Sequence, residues 1–163
     1  MMTNLDVNTK RGQKSLEYEQ RAVWLFENKY PQMTYAQTPK DSSAAVDAVI
    51  VNGRDIVGVV EQKSRNMTYR QLCNWDKEWL VTKSKIDNGR TAALALGVSF
   101  IGFLYLIPDD LLLMQFITTK EGTYVPQIRY ETTTTQANIN GGLVERENAF
   151  ISMNGATKVS WDV

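Results

Sequence analysis

Four residues in the first half of the chain combine side chains that could do chemistry together. Asp47 lies in one apolar run, and Glu61, Gln62 and Lys63 end the next apolar run. Glu61 and Lys63 are two residues apart, so on a strand both project from the same face. Strands this rich in Val and Ile are usually buried, and a buried charge is costly unless it is paired or metal-bound. Two carboxylates and an ammonium at one end of a strand pair suit a hard divalent cation beside a phosphodiester.

The turn between the two runs decides whether the two carboxylates can meet. Asn52-Gly53 is the strongest short-range signal for a β-hairpin. A plain two-residue turn there would pair Asp47 with Gly58, which faces away from Glu61. One cation can be shared only if the register shifts by one residue. We therefore predict a three-residue loop or a β-bulge, for which Gly53 and Gly58 are natural positions.

Hydrophobic periodicity outlines the elements that must position these residues. Helices are predicted over 15–30 and 68–88, with a further helical turn over 91–96. Strands are predicted over 33–38, 44–51, 54–63, 98–107 and 111–118, with weaker signals over 124–135 and 149–163. Trp75 and Trp79 fall on the inward face of the second helix and are interpreted as core residues. The order helix–three strands–helix–strand indicates an α/β fold, a mixed β-sheet flanked by helices, with an irregular β-rich C-terminal extension.

Composition limits the chemistry that is available. The 163 residues include no histidine and one cysteine. This excludes histidine-based triads, histidine-ligated zinc, an intrachain disulfide and a cysteine-rich metal site. The apolar fraction of 43% and the charged fraction of 22% are typical of a globular domain. No apolar signal segment opens the sequence and its longest apolar run is too short to cross a bilayer, so we expect a soluble cytoplasmic protein.

The formal net charge is zero, but the charges are unevenly distributed. Residues 1–90 hold 14 basic and 11 acidic residues, whereas residues 91–163 hold 4 and 7. The half with the acidic hairpin is therefore also the basic half. A solvated helix surface of mixed charge and a track for phosphates explain this about equally well.

The hairpin and its flanking elements resemble the PD-(D/E)xK nuclease superfamily, which includes many restriction enzymes, resolvases and phage exonucleases. Asp47 matches the first acid of its motif, and Glu61-Gln62-Lys63 matches the second part, with Lys63 in the lysine position. Val46 stands where the motif has proline. The resemblance covers the helix–three strands–helix–strand core and implies the restriction-endonuclease-like fold.

The resemblance also implies an activity, a Mg²⁺-dependent phosphodiesterase that acts on DNA, with Mn²⁺ able to replace Mg²⁺. Asp47 and Glu61 would ligate the metal through their carboxylates, and Gln62 through its backbone carbonyl. Lys63 would position the attacking water or contact the scissile phosphate. Cutting directed by structure or by ends, as in resolvases, exonucleases or nickases, fits this size better than sequence-specific cutting.

An acid from the first helix often lines the site in this superfamily. Glu19 lies on the apolar face of the predicted helix and is favoured as this catalytic acid over Glu17, which lies nearly opposite. An acid near the start of a helix is also explained by the helix dipole alone. A second Glu-x-Lys, Glu27 to Lys29, has no partnering acid and is interpreted as surface.

Residues outside the motif could contact nucleic acid. The candidates are Arg65, Arg70, Lys83 and Tyr69, for each of which an ordinary surface role is the simpler alternative. Residues 1–118 are expected to form the nuclease-like core, and residues 119–163 an extension packed on it that serves as a dimer or substrate arm. Its acidic balance favours a protein contact over DNA. A homodimer is expected by resemblance, as is a phage or mobile-element nuclease working in a host cytoplasm, with no membrane partner.

Two other interpretations stay open. One is a module on the same fold that binds nucleic acid or protein without cutting, which the zero net charge favours. The other is a structural protein whose acidic hairpin is accidental. The presence of two acids and a lysine together argues against the first, since unused buried charges only destabilise a fold. A regular hairpin with Asp47 and Glu61 on opposite faces would favour the second.

Overall fold

The computed structural model of the protein describes residues 10–38, 46–136 and 142–161. Within these ranges the chain is mixed α/β, with three helices and two sheets. The helices are α1 (Lys10–Lys29), α2 (Tyr69–Asn74) and α3 (Lys83–Leu96). The strands are β1 (Met33–Gln37), β2 (Ala48–Asn52), β3 (Asp55–Arg65), β4 (Glu78–Thr82), β5 (Ser99–Leu106), β6 (Leu111–Thr118), β7 (Ile128–Gln136), β8 (Leu143–Ser152) and β9 (Thr157–Val159). The predicted strand positions 44, 45, 162 and 163 lie outside the described residues.

The larger sheet has six strands in the order β1-β2-β3-β5-β6-β9. β3 and β5 are parallel, and the other neighbours in this sheet are antiparallel. A parallel pair needs a long crossover, and here the crossover consists of α2, β4 and α3. Strands β3 and β5 lie at the centre of the sheet, which explains why their sequences are apolar over long runs.

Strand β5 supplies alternate residues to two hydrophobic cores, one on each face of the large sheet. Phe103 packs in the core beneath α1, where its ring lies 5.2 Å from that of Phe26. Phe100 and Leu104 belong to the other core, together with Ile86 of α3. The prediction of a central strand over 98–107 is confirmed, because the strand is buried on both sides.

Helix α1 occupies the predicted place and begins earlier than predicted. It ends at Lys29, shortly before Pro31, as the sequence indicated. Near its end, Glu27 Oε2 accepts a hydrogen bond of 2.9 Å from the backbone N–H of Tyr35 on β1. The second Glu-x-Lys therefore contributes an acid that joins the helix to the edge strand.

The single helix predicted over 68–88 is wrong. Helix α2 starts with a capping box between Thr68 and Gln71 and ends after one and a half turns. Asp76 and Lys77 then have φ of 56° and 53°, which turns the chain out of the helix. Strand β4 follows, and α3 begins only at Lys83.

The tryptophans show why the prediction failed. In β4 the burial alternates, so Trp79 and Val81 point inward while Leu80 points outward. This period of two competes with the helical spacing of Trp75 and Trp79, and it prevails because β4 pairs with β8. Trp79 is buried as predicted, but Trp75 leaves 64% of its surface exposed and is not a core residue.

The smaller sheet has the order β4-β8-β7. Strands β7 and β8 pair over nine residues as a regular antiparallel hairpin, so the described part of the C-terminal region is more ordered than the irregular extension that was predicted. Strand β9 then returns to pair with β6 in the large sheet. None of the helices in the described ranges has the length and hydrophobicity needed to cross a membrane.

Candidate active site

The hairpin of β2 and β3 contains the irregularity that the sequence predicted. Val51 pairs with Ile56, but the next pair along the ladder is Ile50 with Gly58. Val57 is therefore an extra residue in β3, which makes a β-bulge. The bulge lies next to the glycine that was expected to permit it, and it shifts the register of the rest of the hairpin by one residue. The turn itself is Gly53-Arg54, between the paired residues Asn52 and Asp55, so the predicted Asn52-Gly53 turn is wrong.

Beyond the bulge, the register brings Asp47 to the two residues that follow Val60. The backbone N–H of Asp47 donates to the carbonyl oxygen of Val60 at 3.1 Å. Asp47 Oδ2 accepts a hydrogen bond of 2.7 Å from the backbone N–H of Gln62. Because the N–H and C=O of a strand residue point to the same side, the Gln62 carbonyl also points toward the Asp47 side of β3. The hairpin thus assembles Asp47, Glu61 and the Gln62 carbonyl, as the hypothesis required.

Glu61 is a buried acid with few polar contacts, since its side chain is 1% exposed. Its carboxyl lies close enough to Asp47 to share a proton, and neither oxygen has another hydrogen-bond partner within the described ranges. Burial, followed by the charge of Asp47, raises the pKa of Glu61 from 4.5 to about 8, although the charges of Lys85 and Lys63 oppose this. The two acids repel each other when both are ionised, so a proton or a cation would stabilise the pair.

The opposite face of β3 is fixed to α1 and β1 through Gln62. Its Oε1 accepts a hydrogen bond of 2.6 Å from the Tyr35 hydroxyl, and its Nε2 donates to the Glu19 backbone carbonyl at 3.3 Å. Burial, and then the charges of Asp47, Glu19 and Glu61, raise the pKa of Tyr35 well above its usual value. The phenol therefore remains a hydrogen-bond donor, and it holds the strand that presents the Gln62 carbonyl.

The helix acid takes a supporting position. Glu19 is partly buried on the sheet-facing side of α1, whereas Glu17 is exposed. Glu19 contacts the side chain of Gln62, which projects from the face of β3 opposite to Glu61. Its charge reaches the site through its effect on Tyr35. The contact is made by the Glu19 backbone carbonyl, so this residue lies on the α1 side of β3, opposite to the Glu61 side chain.

A cleft of about 700 Å³ begins at Lys63, two residues along β3 from Glu61, and its described lining includes neither Asp47 nor Glu61. Its walls are the end of β3, strand β4, the first turn of α3 and strand β8. It is lined by five basic residues, Lys63, Arg65, Lys83, Lys85 and Arg146, and by two acids, Asp87 and Glu147. The lining carries a positive excess although the whole chain has none. Such a surface suits the phosphates of a nucleic acid.

The residues predicted to contact nucleic acid divide into two pairs. Arg65 and Lys83 line the cleft. Arg70 and Tyr69 lie on α2 and are not among its lining residues, so the structure does not bring them to the site. The backbone N–H of Tyr69 donates to a carboxylate oxygen of Asp109 at 2.6 Å, which uses Tyr69 to fix α2 to the loop after β5.

Three residues of the site were missed from the sequence. Lys85 and Arg146 line the cleft, and Tyr35 holds Gln62. Lys83 and Lys85 stand in the first turn of α3, where no acid is present. Cations at a helix N-terminus are unfavourable unless an anion is near, and Lys83 has one in Asp87, which it contacts at 2.7 Å. Lys85 therefore carries the usable signal, which the wrong helix boundary concealed. Arg146 comes from the distant strand β8 and gave no local signal.

The donor atoms at the hairpin fit a hard divalent cation. Mg²⁺ prefers oxygen ligands and keeps several waters. The carboxylates of Asp47 and Glu61 and the carbonyl of Gln62 provide oxygen donors of this kind. Across the described ranges, no group of three or more His, Cys, Asp or Glu side chains is arranged to hold a metal, so this donor set consists of two carboxylates and one carbonyl.

Comparisons with known proteins do not assign the site. No family model, curated protein or solved structure matches this chain.

Proposed function

We propose that this protein is a Mg²⁺-dependent deoxyribonuclease that hydrolyses phosphodiester bonds, in which cutting is directed by the structure or the ends of the DNA. The observation that carries the proposal is the bulged hairpin. It brings a desolvated acid, Glu61, to Asp47 at the edge of a basic cleft. A fold gains nothing from this pair without a ligand, because the ionised pair destabilises it.

The order of elements supports a restriction-endonuclease-like core. Helix α1, the antiparallel strands β1 to β3, a helical crossover and the parallel strand β5 follow the order of the resembled superfamily. Strand β4 lies between α2 and α3, within the crossover. We infer that β4 and its partner β8 extend the wall of the cleft beyond that core.

Each residue of the site has a definite task in this proposal. Asp47, Glu61 and the Gln62 carbonyl would hold Mg²⁺. When bound, the metal supplies charge stabilisation at the phosphate and a water of lowered pKa. Lys63, exposed on the same face as Glu61, would contact the scissile phosphate or position the attacking water. Lys85 would hold the neighbouring phosphate in the cleft.

A cleavage assay tests the proposal. Wild type, Lys63→Ala and Asp47→Asn would be incubated with linear duplex, single-stranded, circular and four-way-junction DNA in Mg²⁺, Mn²⁺ or EDTA. We expect metal-dependent cleavage by wild type and a loss of roughly 100-fold or more in either variant, because each removes a group that acts on the transition state. The preferred substrate then distinguishes exonuclease, nickase and resolvase.

The chain offers a matched control. Lys29 belongs to the second Glu-x-Lys and is exposed at the end of α1, so Lys29→Ala should cut like wild type. Equal activity of the Lys63→Ala and Lys29→Ala variants would contradict the proposal.

A second candidate is a module that holds nucleic acid without cutting it. The positive excess of the cleft favours it, since such a lining requires only binding. Binding in EDTA with no cleavage of any substrate in Mg²⁺ or Mn²⁺ would support this candidate over the nuclease.

A further inference from the structure

A second cavity adjoins the basic cleft and differs from it in chemistry. It has a volume of about 570 Å³, and Arg65 and Leu80 line both cavities. The remaining lining is largely aromatic and apolar and includes Trp75, Trp79, Phe150, Leu72, Met67 and Leu104. A strand whose phosphates lie in the cleft would therefore pass the entrance of an aromatic pocket.

Trp75 is held beside this cavity by its backbone. It lines the cavity and keeps 64% of its surface exposed. The next two residues, Asp76 and Lys77, both have left-handed φ angles, which cost free energy in residues other than glycine. Backbone hydrogen bonds of 2.9 Å from Lys77 N–H to the Leu72 carbonyl and of 3.2 Å from Glu78 N–H to the Trp75 carbonyl fix this turn. The Trp75 indole therefore projects from a constrained turn and is not packed in the core.

The polar groups of the cavity suit a base better than a phosphate. Asp76 and Glu78 line the cavity, and their carboxylates repel phosphate but accept hydrogen bonds from exocyclic amino groups. Arg129, the one further cation of the lining, is already engaged by Glu78 at 3.0 Å and lies over Phe150.

We propose that this cavity receives one unstacked base of a nucleic-acid strand whose phosphates lie in the basic cleft, with Trp75 as the stacking platform. Arg65, which lines both cavities, would contact the phosphate between them. The inference rests on the proposed function and narrows its substrate class. It predicts that the protein prefers single strands, and branches or ends that carry an unpaired nucleotide, to continuous duplex DNA.

The test measures binding by fluorescence anisotropy in EDTA, where no cleavage occurs. The probes are a short labelled single-stranded DNA that cannot pair with itself, and the blunt duplex that it forms with its complement. Base stacking on an aromatic side chain is worth enough that Trp75→Ala should weaken single-strand binding roughly 5- to 50-fold, with duplex binding almost unchanged. Trp75→Phe should keep most of the affinity, because a phenyl ring still stacks.

Trp161 provides the matched control. It is 60% exposed, lies against Trp24 on α1 away from the cleft, and its replacement by Ala should change neither affinity. Because Trp75 is exposed, its replacement should leave the far-UV circular dichroism and the melting temperature near those of wild type.

The outcomes separate this inference from the proposed function. Unchanged single-strand binding by Trp75→Ala, or a wild type that prefers duplex in both binding and cutting, overturns the base pocket and leaves the nuclease standing. A loss that is equal for single strand and duplex also overturns it, because it would indicate a general effect on the cleft. Failure of wild type to bind or cut any DNA overturns both proposals.

Discussion

A carboxylate buried without a hydrogen-bond donor is a costly group, and Glu61 is such a group at the centre of this fold. Its burial and the charge of Asp47 favour the protonated form, so the acid carries a stability cost whenever the pair is ionised without a cation. Lys63 and Lys85 reduce this cost but do not cancel it. In the proposed function, a cation bound between the two carboxylates would offset this cost.

The cost can be measured as a function of pH. The folded pKa of Glu61, about 8, is above the ordinary value of 4.5, so between these values the folded state holds a proton that the unfolded state has lost. Wild type therefore loses stability as the pH rises through this window. The Glu61→Gln variant lacks the titrating carboxyl, and its side-chain amide can donate a hydrogen bond to Asp47. In EDTA at about pH 9 this variant should therefore be more stable than wild type by roughly 2–4 kcal/mol. The difference should nearly vanish near pH 5, as measured by urea unfolding.

Glu17 supplies the control for this experiment. It is exposed on the same helix as Glu19, and Glu17→Gln should change the free energy of unfolding by no more than about 0.5 kcal/mol. A difference between Glu61→Gln and wild type that is constant from pH 5 to pH 9 would contradict the buried, proton-sharing description of the pair.

At the scale of elements, the parts predicted correctly are those that depend on neighbouring residues. The bulge followed from strand parity, since Asp47 and Glu61 can share a face only if one residue is inserted, and a glycine stood where it was needed. The central strand followed from a run that is apolar on both faces. Both arguments use information within one hairpin or one strand.

The parts that were missed depend on a partner far along the chain. The spacing of Leu72, Trp79 and Ile86 fits one helix face, and only the pairing of β4 with β8 converts the middle of that segment into a strand. The same pairing brings Arg146 to the cleft and leaves Trp75 exposed. The bulge in the β2–β3 hairpin could thus be predicted from the sequence, whereas the β4–β8 wall of the cleft and the second cavity could not.

Helix α3 carries Lys83 and Lys85, and its position on the sheet depends on a glycine. A methyl group on Gly89 would approach Phe100 Cζ to 2.1 Å, and Phe100 is fully buried on β5. Gly89→Ala should therefore push the helix from the sheet and destabilise the protein by about 1–3 kcal/mol in urea unfolding. The double variant with Phe100→Leu should lose less than the sum of the two single variants, because leucine lacks the ring tip.

The neighbouring position tests whether the effect comes from contact or from helix propensity. Asn88 is exposed on the same helix, and Asn88→Ala should change stability by no more than about 0.5 kcal/mol. Additive losses in the Gly89 and Phe100 double variant would argue that the two residues do not meet.

At the scale of the whole molecule, a net charge of zero coexists with an uneven distribution of charge over the surface. The chain has no net charge, yet five basic residues from β3, α3 and β8 converge on one cleft. Nucleic-acid binding depends on such local potentials more than on the total charge. The cleft exists only when the two sheets are joined, because β3 contributes one wall and the β4-β8 pair another.

This dependence predicts that residues 1–118 do not fold alone. A chain of residues 1–118 would lack Ala149 and Ile151, which belong to the core that contains Trp79. It would also lack the Ser152 and Asn154 carbonyls, to which the side-chain amide of Gln115 donates at 3.0 and 2.9 Å. Loss of several buried contacts of this kind exceeds the stability of a typical domain. A chain ending at Thr118 should show no cooperative urea transition and poor amide dispersion by NMR, unlike the full chain. If this shorter chain instead folded and cut DNA, cutting would not require the wall that β8 contributes, and β3, β4 and α3 would suffice for the cleft.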